Sequence, residues 1–281
     1  MIYFGPSGND EQFYALGFKH TTEAGPWLKS LGLNAYEYAF TRGVNISDAK
    51  AMELGQIFAD CGILVSAHAP YYINLANPDD EMASKSFGYI ISSLAKLKLM
   101  GGTHLVVHVG SCGKLERSEA LELIKRRLVT LKQLMIENNL TDMYVCLETM
   151  GKPAQIGTYE EIIDLCTLYD RFMPTFDFGH INSLTGGTLK TSDDYKKIID
   201  LCYQKLGSER TNNVHVHFSK IEYGAKGEIR HLTFEDNVYG PKFEPLAKVL
   251  KLYNMSPVII CESRGTQTKD ALAMKTIYEN C

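Results

Sequence analysis

The sequence predicts a single (β/α)8 barrel that occupies residues 1–281. Eight short apolar or aromatic runs alternate with helical patterns along the chain. Most of these runs are continuously apolar, which is typical of parallel strands that helices cover. The length of 281 residues is close to the roughly 250 residues of a typical barrel of this kind. A doubly wound open sheet is the alternative fold, but no Gly-x-Gly-x-x-Gly motif follows any predicted strand.

Each predicted strand is a short run rich in β-branched, aromatic or other apolar residues. The predicted strands are Ile2–Phe4, Ala35–Phe40, Leu64–His68, His104–Val109, Tyr144–Glu148, Met173–Asp177, Val214–Ser219 and Val258–Glu262.

Each of these strands is followed by a segment with helical periodicity or a capping signal. Ser47-Asp48 is typical of a helix N-terminus, and Thr158 with Glu161 resembles a capping box. Between Ser118 and Asn138, apolar residues repeat at steps of three and four. The helices are expected to begin near Pro26, Ser47, Asp79, Ser118, Thr158, Ser192, Pro241 and Thr268.

Composition limits the partners and the compartment. The net charge of −4 excludes a globally basic nucleic-acid-binding protein, although a local basic rim would not show in the total. The seven cysteines form no Cys-x-x-Cys pair, and Cys146 and Cys261 lie inside apolar runs, which indicates reduced thiols. No secretory signal and no apolar run of roughly 18 residues is visible, so we expect a cytoplasmic protein without a membrane partner. We also expect a monomer.

Polar residues of ligand type follow six of the eight predicted strands. They are His68, His108, Glu148, Asp177, His215 and Glu262, and they are spaced 29 to 47 residues apart, about one strand and helix each. In a barrel, all these strand ends meet at one mouth. Six such groups would repel one another or remain unsatisfied without a cation. Imidazole and carboxylate are the usual ligands of catalytic Zn²⁺, with Mn²⁺ or Fe²⁺ as alternatives.

Six ligands exceed the needs of one four-coordinate metal. The sequence therefore predicts a two-metal centre with a bridging carboxylate, an arrangement suited to in-line displacement at phosphorus. The segment Met173–His180 is central to it, because Gly179 is expected to break the strand into a loop from which Asp177 and His180 both face the mouth. The alternative role for Asp177 is a helix cap.

The ordered set resembles the endonuclease IV family of apurinic/apyrimidinic endonucleases. The resemblance rests on HAPYYINLA from His68, HVGS from His108, LET around Glu148, Asp177 with His180, the block from His215 to Lys220, His231 and Glu262. Members of that family are zinc-dependent (β/α)8 enzymes that cut the DNA backbone 5′ to an abasic site. The resemblance therefore implies two or three Zn²⁺ ions per chain and double-stranded DNA with abasic sites as the partner.

The resemblance also implies roles for individual residues. His68 and His108 would hold one zinc, Glu148 would bridge as the catalytic residue, and Asp177, His215 and Glu262 would hold the second. Lys220 sets the register that favours His215, while His217 lies on the same strand face nearer the mouth and is the alternative ligand.

A third zinc would take His180 and His231. The family's Asp-x-His pair is absent, since Ile229 stands two residues before His231, and Glu228 is the nearest acid that could complete the site.

Four further residues are candidates for substrate contact. Tyr71 and Tyr72, in the loop after His68, could wedge into a duplex, or they could simply pack that loop. Lys220 and Arg230 could meet phosphates, although single charges of this kind are more often solvated. His104 opens its strand and is expected to be structural.

Two rival functions remain open. A sugar isomerase or epimerase on a similar barrel would need only four ligands, here Glu148, Asp177, His215 and Glu262. Such a site does not need His68 and His108 as ligands, whereas a second phosphodiesterase metal does. A barrel that binds nucleic acid without catalysis is the third interpretation, and the intact ligand set argues against it.

Overall fold

Eight parallel strands form a nearly closed barrel, and the predicted (β/α)8 fold is confirmed. The structure is a computed structural model that describes residues 1–281. Its ten strands are β1 (Tyr3–Pro6), β2 (Ala35–Ala39), β3 (Leu64–His68), β4 (His104–Val107), β5 (Tyr144–Glu148), β6 (Phe172–Asp177), β7 (His215–Phe218), β8 (Lys220–Gly224), β9 (Gly227–Leu232) and β10 (Val258–Cys261). The barrel order is β1-β10-β7-β6-β5-β4-β3-β2, and β8 and β9 form a separate antiparallel hairpin.

The barrel closes where β1 approaches β2. Ser7 and Glu37 form a parallel bridge, and the Gly8 amide donates to the Glu37 carbonyl at 2.9 Å. Gly5 makes this closeness possible, because a Cβ at that position would lie 1.9 Å from the carbonyl oxygen of Ala35. The closed barrel directs the carboxyl ends of all eight strands to one mouth.

Ten α-helices surround or cap the barrel. They are α1 (Glu11–Ala15), α2 (Ala24–Ser30), α3 (Asp48–Cys61), α4 (Asp80–Leu99), α5 (Arg117–Glu137), α6 (Tyr159–Cys166), α7 (Phe178–Leu184), α8 (Ser192–Asn212), α9 (Phe243–Leu252) and α10 (Gln267–Asn280). Eight of them are the predicted helices, while α1 and α7 are additional. Ser47, Asp79 and Thr158 cap α3, α4 and α6 through their side chains, as the sequence indicates.

One continuous apolar core fills the space between the strands and the helices. The inner face of α5 buries Ile124, Leu128, Leu131 and Met135, which confirms the periodicity seen in the sequence. Cys146 and Cys261 are buried free thiols, also as predicted. None of the helices combines the length and the apolar composition that crossing a bilayer requires.

The expected loop after Asp177 is instead a helix. Asp177 is the N-cap of α7, and its Oδ1 accepts a hydrogen bond from the amide of His180 at 2.7 Å. Gly179 lies inside this helix. A larger residue would not fit there, because a Cβ would lie 2.7 Å from the carbonyl oxygen of Ser219. The prediction of a break at Gly179 is therefore wrong: the glycine serves the packing of α7 against the chain after β7.

Candidate metal centre

The mouth of the barrel brings all the predicted ligand residues except His215 into three adjoining groups. In each group, every residue offers one ligand atom within 4.8 Å of the others. We name them the His68 group (His68, His108 and Glu148), the Asp177 group (Glu148, Asp177, His217 and Glu262) and the His180 group (His180, Glu228 and His231). Glu148 belongs to the first two groups, so these two share a carboxylate.

Glu148 presents a different oxygen to each of its two groups. Its Oε2 lies 3.1 Å from Nε2 of His68 and 2.7 Å from Nε2 of His108. Its Oε1 lies 2.9 Å from Nδ1 of His217. The side chain is almost completely buried at the end of β5. A carboxylate held in this way can serve two cations at once, which is the predicted arrangement.

The Asp177 group contains His217, the alternative ligand, whereas the favoured His215 lies in a fourth group, with Glu37 and His217, whose ligand-type atoms also lie within 4.8 Å of one another. In the strand register, His217 pairs with Asp177 and His215 pairs with Thr175. His215 therefore lies two residues deeper in the barrel, about 6.6 Å below its predicted level, because a parallel strand rises about 3.3 Å per residue. There it donates from Nε2 to Glu37 at 2.9 Å.

The His180 group unites the two histidines with Glu228, the acid that the sequence offered for a third site. Oε2 of Glu228 lies 3.5 Å from Nε2 of His180, and its Oε1 lies 3.8 Å from Nε2 of His231. His180 comes from α7, whereas Glu228 and His231 come from β9. The β8–β9 hairpin, which the sequence analysis did not predict, therefore completes this group.

Four histidines of the mouth have one ring nitrogen held by an oxygen of the chain. Nδ1 of His68 donates to the Ala69 carbonyl at 2.8 Å, and Nδ1 of His180 donates to the Thr149 carbonyl at 3.0 Å. Nδ1 of His231 lies 2.8 Å from the Ser219 hydroxyl, and Nε2 of His217 lies 3.0 Å from Oε1 of Glu37. In each case the other nitrogen faces a carboxylate of its group. Metal-binding histidines are oriented in the same way.

The pKa values reflect a dense set of buried charges. Burial lowers the pKa of His68, but the hydrogen bond and charge of Glu148 outweigh this and raise it to about 9. Burial likewise opposes the ionised form of Glu148, yet His108 and His217 hold the pKa of that carboxyl well below its usual range.

The pKa of Asp177 is shifted in the opposite direction, above its usual value. Burial raises its pKa, and the negative charges of Glu262 and Glu148 add to this effect against the opposing charge of His180. Its Oδ2 is buried and has no hydrogen-bond partner. An unpartnered carboxylate oxygen beside two further carboxylates is the environment that a divalent cation neutralises, so the residues fit a metal centre.

Below the centre lies a charged residue that the sequence analysis missed. Glu37, on β2, is completely buried. It accepts hydrogen bonds from Ser66 Oγ at 3.1 Å and from His215 and His217. The only signal in the sequence was the alternation of Glu37 with Tyr36 and Tyr38 in the strand Ala35–Ala39, which directs the Glu37 side chain to the opposite face from the tyrosines.

The candidate substrate residues lie outside the three groups. Tyr71 and Tyr72 are about half exposed at 54% and 48%, and the Tyr71 hydroxyl donates to that of Tyr72 at 3.2 Å. Lys220 donates to the carbonyl oxygens of Phe234 and Asp236, so the structure gives it a role in holding the following loop. Arg230 is exposed and paired with Glu222 at 2.6 Å.

Comparisons of the chain with known proteins identify its family and its relatives. The model of the xylose isomerase-like TIM barrel family matches residues 26–277. An uncharacterized protein of Methanocaldococcus jannaschii is 31% identical over 283 residues, which cover 99% of this chain and 98% of the relative. A protein of Acholeplasma laidlawii named probable endonuclease 4 is 30% identical over 201 residues, which cover 66% of each chain.

Solved structures of two kinds of enzyme share the fold. Endonuclease IV from Thermus thermophilus has a TM-score of 0.72 at 19% identity, with 94% of this chain and 96% of that chain covered. The 3-keto-D-glucoside 4-epimerase from E. coli has a TM-score of 0.70 at 14% identity, with both chains covered completely. Since the family model matches most of the sequence, the chain belongs to the xylose isomerase-like TIM barrel family.

Proposed function

We propose that the protein is a zinc-dependent phosphodiesterase that hydrolyses the DNA backbone 5′ to abasic sites. The observation that carries the proposal is the His68 group. Its two histidines face one oxygen of Glu148 while His217 faces the other, which makes a second ligand group beside the Asp177 group. A sugar isomerase needs only the Asp177 group, whereas a two-metal phosphodiesterase needs both.

Each residue of the first two ligand groups would have a defined role in such a centre. His68 and His108 would hold one metal, and Asp177, His217 and Glu262 would hold the second, with Glu148 between them. Metals bound here would supply Lewis-acid stabilisation of the charge that develops on the phosphate oxygens. The burial of Glu148 and Asp177 excludes water from the floor of the centre and fixes both carboxylates in place.

The His180 group supports a third metal in the same mouth. Glu228 has a longer side chain than aspartate, and its carboxylate reaches between His180 and His231. Zinc sites of catalytic type normally take three protein ligands, and this group offers three. The related proteins named probable endonuclease 4 add support for the substrate class.

Duplex DNA would reach the centre past the loop that follows β3. The exposed rings of Tyr71 and Tyr72 project from this loop, with their centroids 4.3 Å apart. Exposed aromatic rings of this kind can stack beside an unpaired or extruded nucleotide. Arg230, at the exposed rim, stays a proposed phosphate contact.

The test is cleavage of a labelled duplex oligonucleotide that carries one tetrahydrofuran abasic analogue. The protein, loaded with zinc, should nick the strand 5′ to the analogue and leave a 3′-hydroxyl that a DNA polymerase extends. Glu148→Gln should lose this activity together with bound zinc. His104→Phe is the matched control, because His104 stacks on Tyr144 at the opposite end of β4 from His108.

A sugar epimerase is the second candidate, and one observation favours it. The Asp177 group alone supplies a Glu, Asp, His, Glu set for a single metal, and a sugar epimerase shares the fold. Ketose–aldose interconversion and epimerisation should be measured on the same zinc- or manganese-loaded preparation. Sugar turnover without DNA nicking would overturn the phosphodiesterase proposal in favour of this one.

A further inference from the structure

Glu37 is a carboxylate buried inside the barrel, one layer below the candidate metal centre. It has no solvent-exposed surface and lies on β2, outside the three groups at the mouth, although its ligand-type atoms and those of His215 and His217 lie within 4.8 Å of one another. Ionised groups in such places are costly unless they are fully hydrogen-bonded. Three side chains, those of Ser66, His215 and His217, donate to one oxygen of Glu37, Oε2, whereas Oε1 has no hydrogen-bond partner.

His217 is the contact between Glu37 and the centre. Its Nδ1 faces the Asp177 group, at 2.9 Å from Oε1 of Glu148 and 3.6 Å from Oε1 of Glu262. Its Nε2 faces the other way and donates a hydrogen bond to Oε2 of Glu37 at 3.2 Å, with Oε1 of the same carboxylate 3.0 Å away. A neutral imidazole carries its proton on one nitrogen only, so the partner of Nε2 decides whether Nδ1 has a free lone pair.

Glu37 differs from the partners of the other histidines. His68 and His180 donate to backbone carbonyl groups, and His231 meets a hydroxyl. Only for His217 is the partner a carboxylate. Hydrogen bonds to a charged acceptor are roughly twice as strong as those between neutral groups, so this histidine has the most firmly fixed proton of the four.

We propose that Glu37 is a positioning residue that fixes the proton of His217 on Nε2 and thereby keeps Nδ1 as a metal ligand. The inference rests on the proposed metal centre and deepens it. Ser66 and His215 donate further hydrogen bonds to the Glu37 carboxylate, but only the bond with His217 sets the position of that imidazole's proton. The expected consequence is selective: the metal of the Asp177 group depends on Glu37, and the metal of the His180 group does not.

The first experiment measures zinc affinity in the Glu37→Gln variant. Glutamine keeps the size of the side chain and removes its charge. Competition with a chromophoric chelator should show one zinc bound about 10- to 100-fold more weakly than in the wild type, the usual effect of losing such a partner. The His180 group should keep its affinity. Wild-type affinity at every site in Glu37→Gln would overturn the inference.

Ser66→Ala is the matched control. It removes one donor to the same buried carboxylate without touching His217, so its zinc affinities should stay near those of the wild type. If Ser66→Ala weakens zinc as much as Glu37→Gln does, the effect is a general loss of packing and the inference fails. His215→Gln should also retain every zinc. Loss of a zinc in that variant would mean that Glu37, His215 and His217 themselves hold a cation, which contradicts the proposed role.

A second measurement needs no variant. In ¹⁵N NMR spectra of the zinc-loaded wild type, His217 should show a protonated Nε2 with a downfield proton and a zinc-bound Nδ1. The reverse assignment would refute the inference while leaving a metal centre intact. Absence of bound zinc in the wild type would instead defeat the proposed function and the inference together, so the two kinds of failure are distinguishable.

Discussion

Substitution of Glu228, the one carboxylate of the His180 group, tests whether this group binds a cation. Glu228 approaches both His180 and His231, and Lys152 lies 4.0 Å away. Glu228→Gln removes the charge that makes the group a cation site. We expect zinc stoichiometry to fall by one per chain and abasic-site cleavage to weaken, while the two zinc ions that share Glu148 remain bound.

The control is Glu222→Gln in the same hairpin. Glu222 pairs with Arg230 and belongs to none of the ligand groups. Zinc counted by atomic emission should be unchanged in this variant. Equal stoichiometry in Glu228→Gln and the wild type would mean that Glu228 is not a ligand.

Most ligand-type residues of the mouth could be predicted from the sequence because strand ends of a barrel converge. The choice between His215 and His217 could not, since both face inward and only the register with Asp177 separates them. Lys220 misled the alignment of this block, because its amine binds carbonyl groups of the following loop rather than facing the centre. Glu37 was missed because no motif surrounds it and its partners lie 29 to 180 residues away in the chain.

The β8–β9 hairpin is an element whose tip is fixed by glycine. Gly227 has φ +86°, and a Cβ there would lie 2.2 Å from the carbonyl oxygen of Gly151. The amide of Glu228 donates to that same carbonyl at 2.9 Å. Gly227→Ala should therefore displace the hairpin tip and weaken zinc binding by the His180 group only.

Gly113→Ala is the control that distinguishes a steric collision of the new Cβ from backbone strain. Gly113 also has a positive φ, of +57°, but a Cβ there would meet no atom within 4 Å. Isothermal titration with zinc should detect a weakened site in Gly227→Ala and none in Gly113→Ala. Loss of zinc in both variants would attribute the effect to strain in the fold rather than to the hairpin's contact.

The additional elements escaped prediction for local reasons. The hairpin is short, and its strands are mixtures of charged and apolar residues with only partial burial. Helix α7 has seven residues with a glycine at its second position, a sequence that does not favour a helix in isolation. Its formation depends on the Asp177 cap and on packing against β8, which are tertiary features.

The pair Arg117–Glu161 connects α5 with α6 and should make stability depend on pH. Arg117 donates two hydrogen bonds to Glu161, at 2.6 and 2.7 Å, and the amides of Gly157 and Thr158 donate two more. Burial opposes the ionised carboxylate, but these donors hold the pKa of Glu161 below its usual value. A lowered folded pKa stabilises the protein above the unfolded value of about 4.3, and this contribution is lost as the pH falls through the folded value.

Arg117→Gln should therefore cost about 1 kcal/mol at pH 7, a modest figure because Arg117 is partly exposed. Urea denaturation should show the difference from the wild type shrinking as the pH falls below about 4. Lys125→Gln, which breaks an exposed pair with Glu122 on the same helix, should have little effect at either pH. A difference that stays constant with pH would show that the contribution is not electrostatic.

At the scale of the whole molecule, the barrel holds three carboxylates of one ligand group close together. Glu148 and Asp177 are fully buried, and Glu262 is mostly buried. The apolar core between strands and helices supplies the stability that tolerates this convergence, and the cation is expected to add to it. Anything that binds only the folded state stabilises it, by about 2.7 kcal/mol at a free concentration 100 times the dissociation constant. Chelation should therefore lower the melting temperature of the wild type.

Asp177→Asn distinguishes the effect of the Asp177 charge on folding stability from its effect on zinc binding. The pKa of Asp177 is raised in the folded protein, so its ionised form opposes folding at neutral pH. Asparagine removes the charge and can still cap α7 through its Oδ1, which accepts from the His180 amide in the wild type. In chelator-treated protein, the variant should melt at the same temperature as the wild type or higher. On adding zinc, the wild type should gain more than the variant, because the variant has lost a ligand. A chelated variant that melts well below the wild type would show that the Asp177 charge supports the fold itself, and the case for a cation at this group would lose its electrostatic basis.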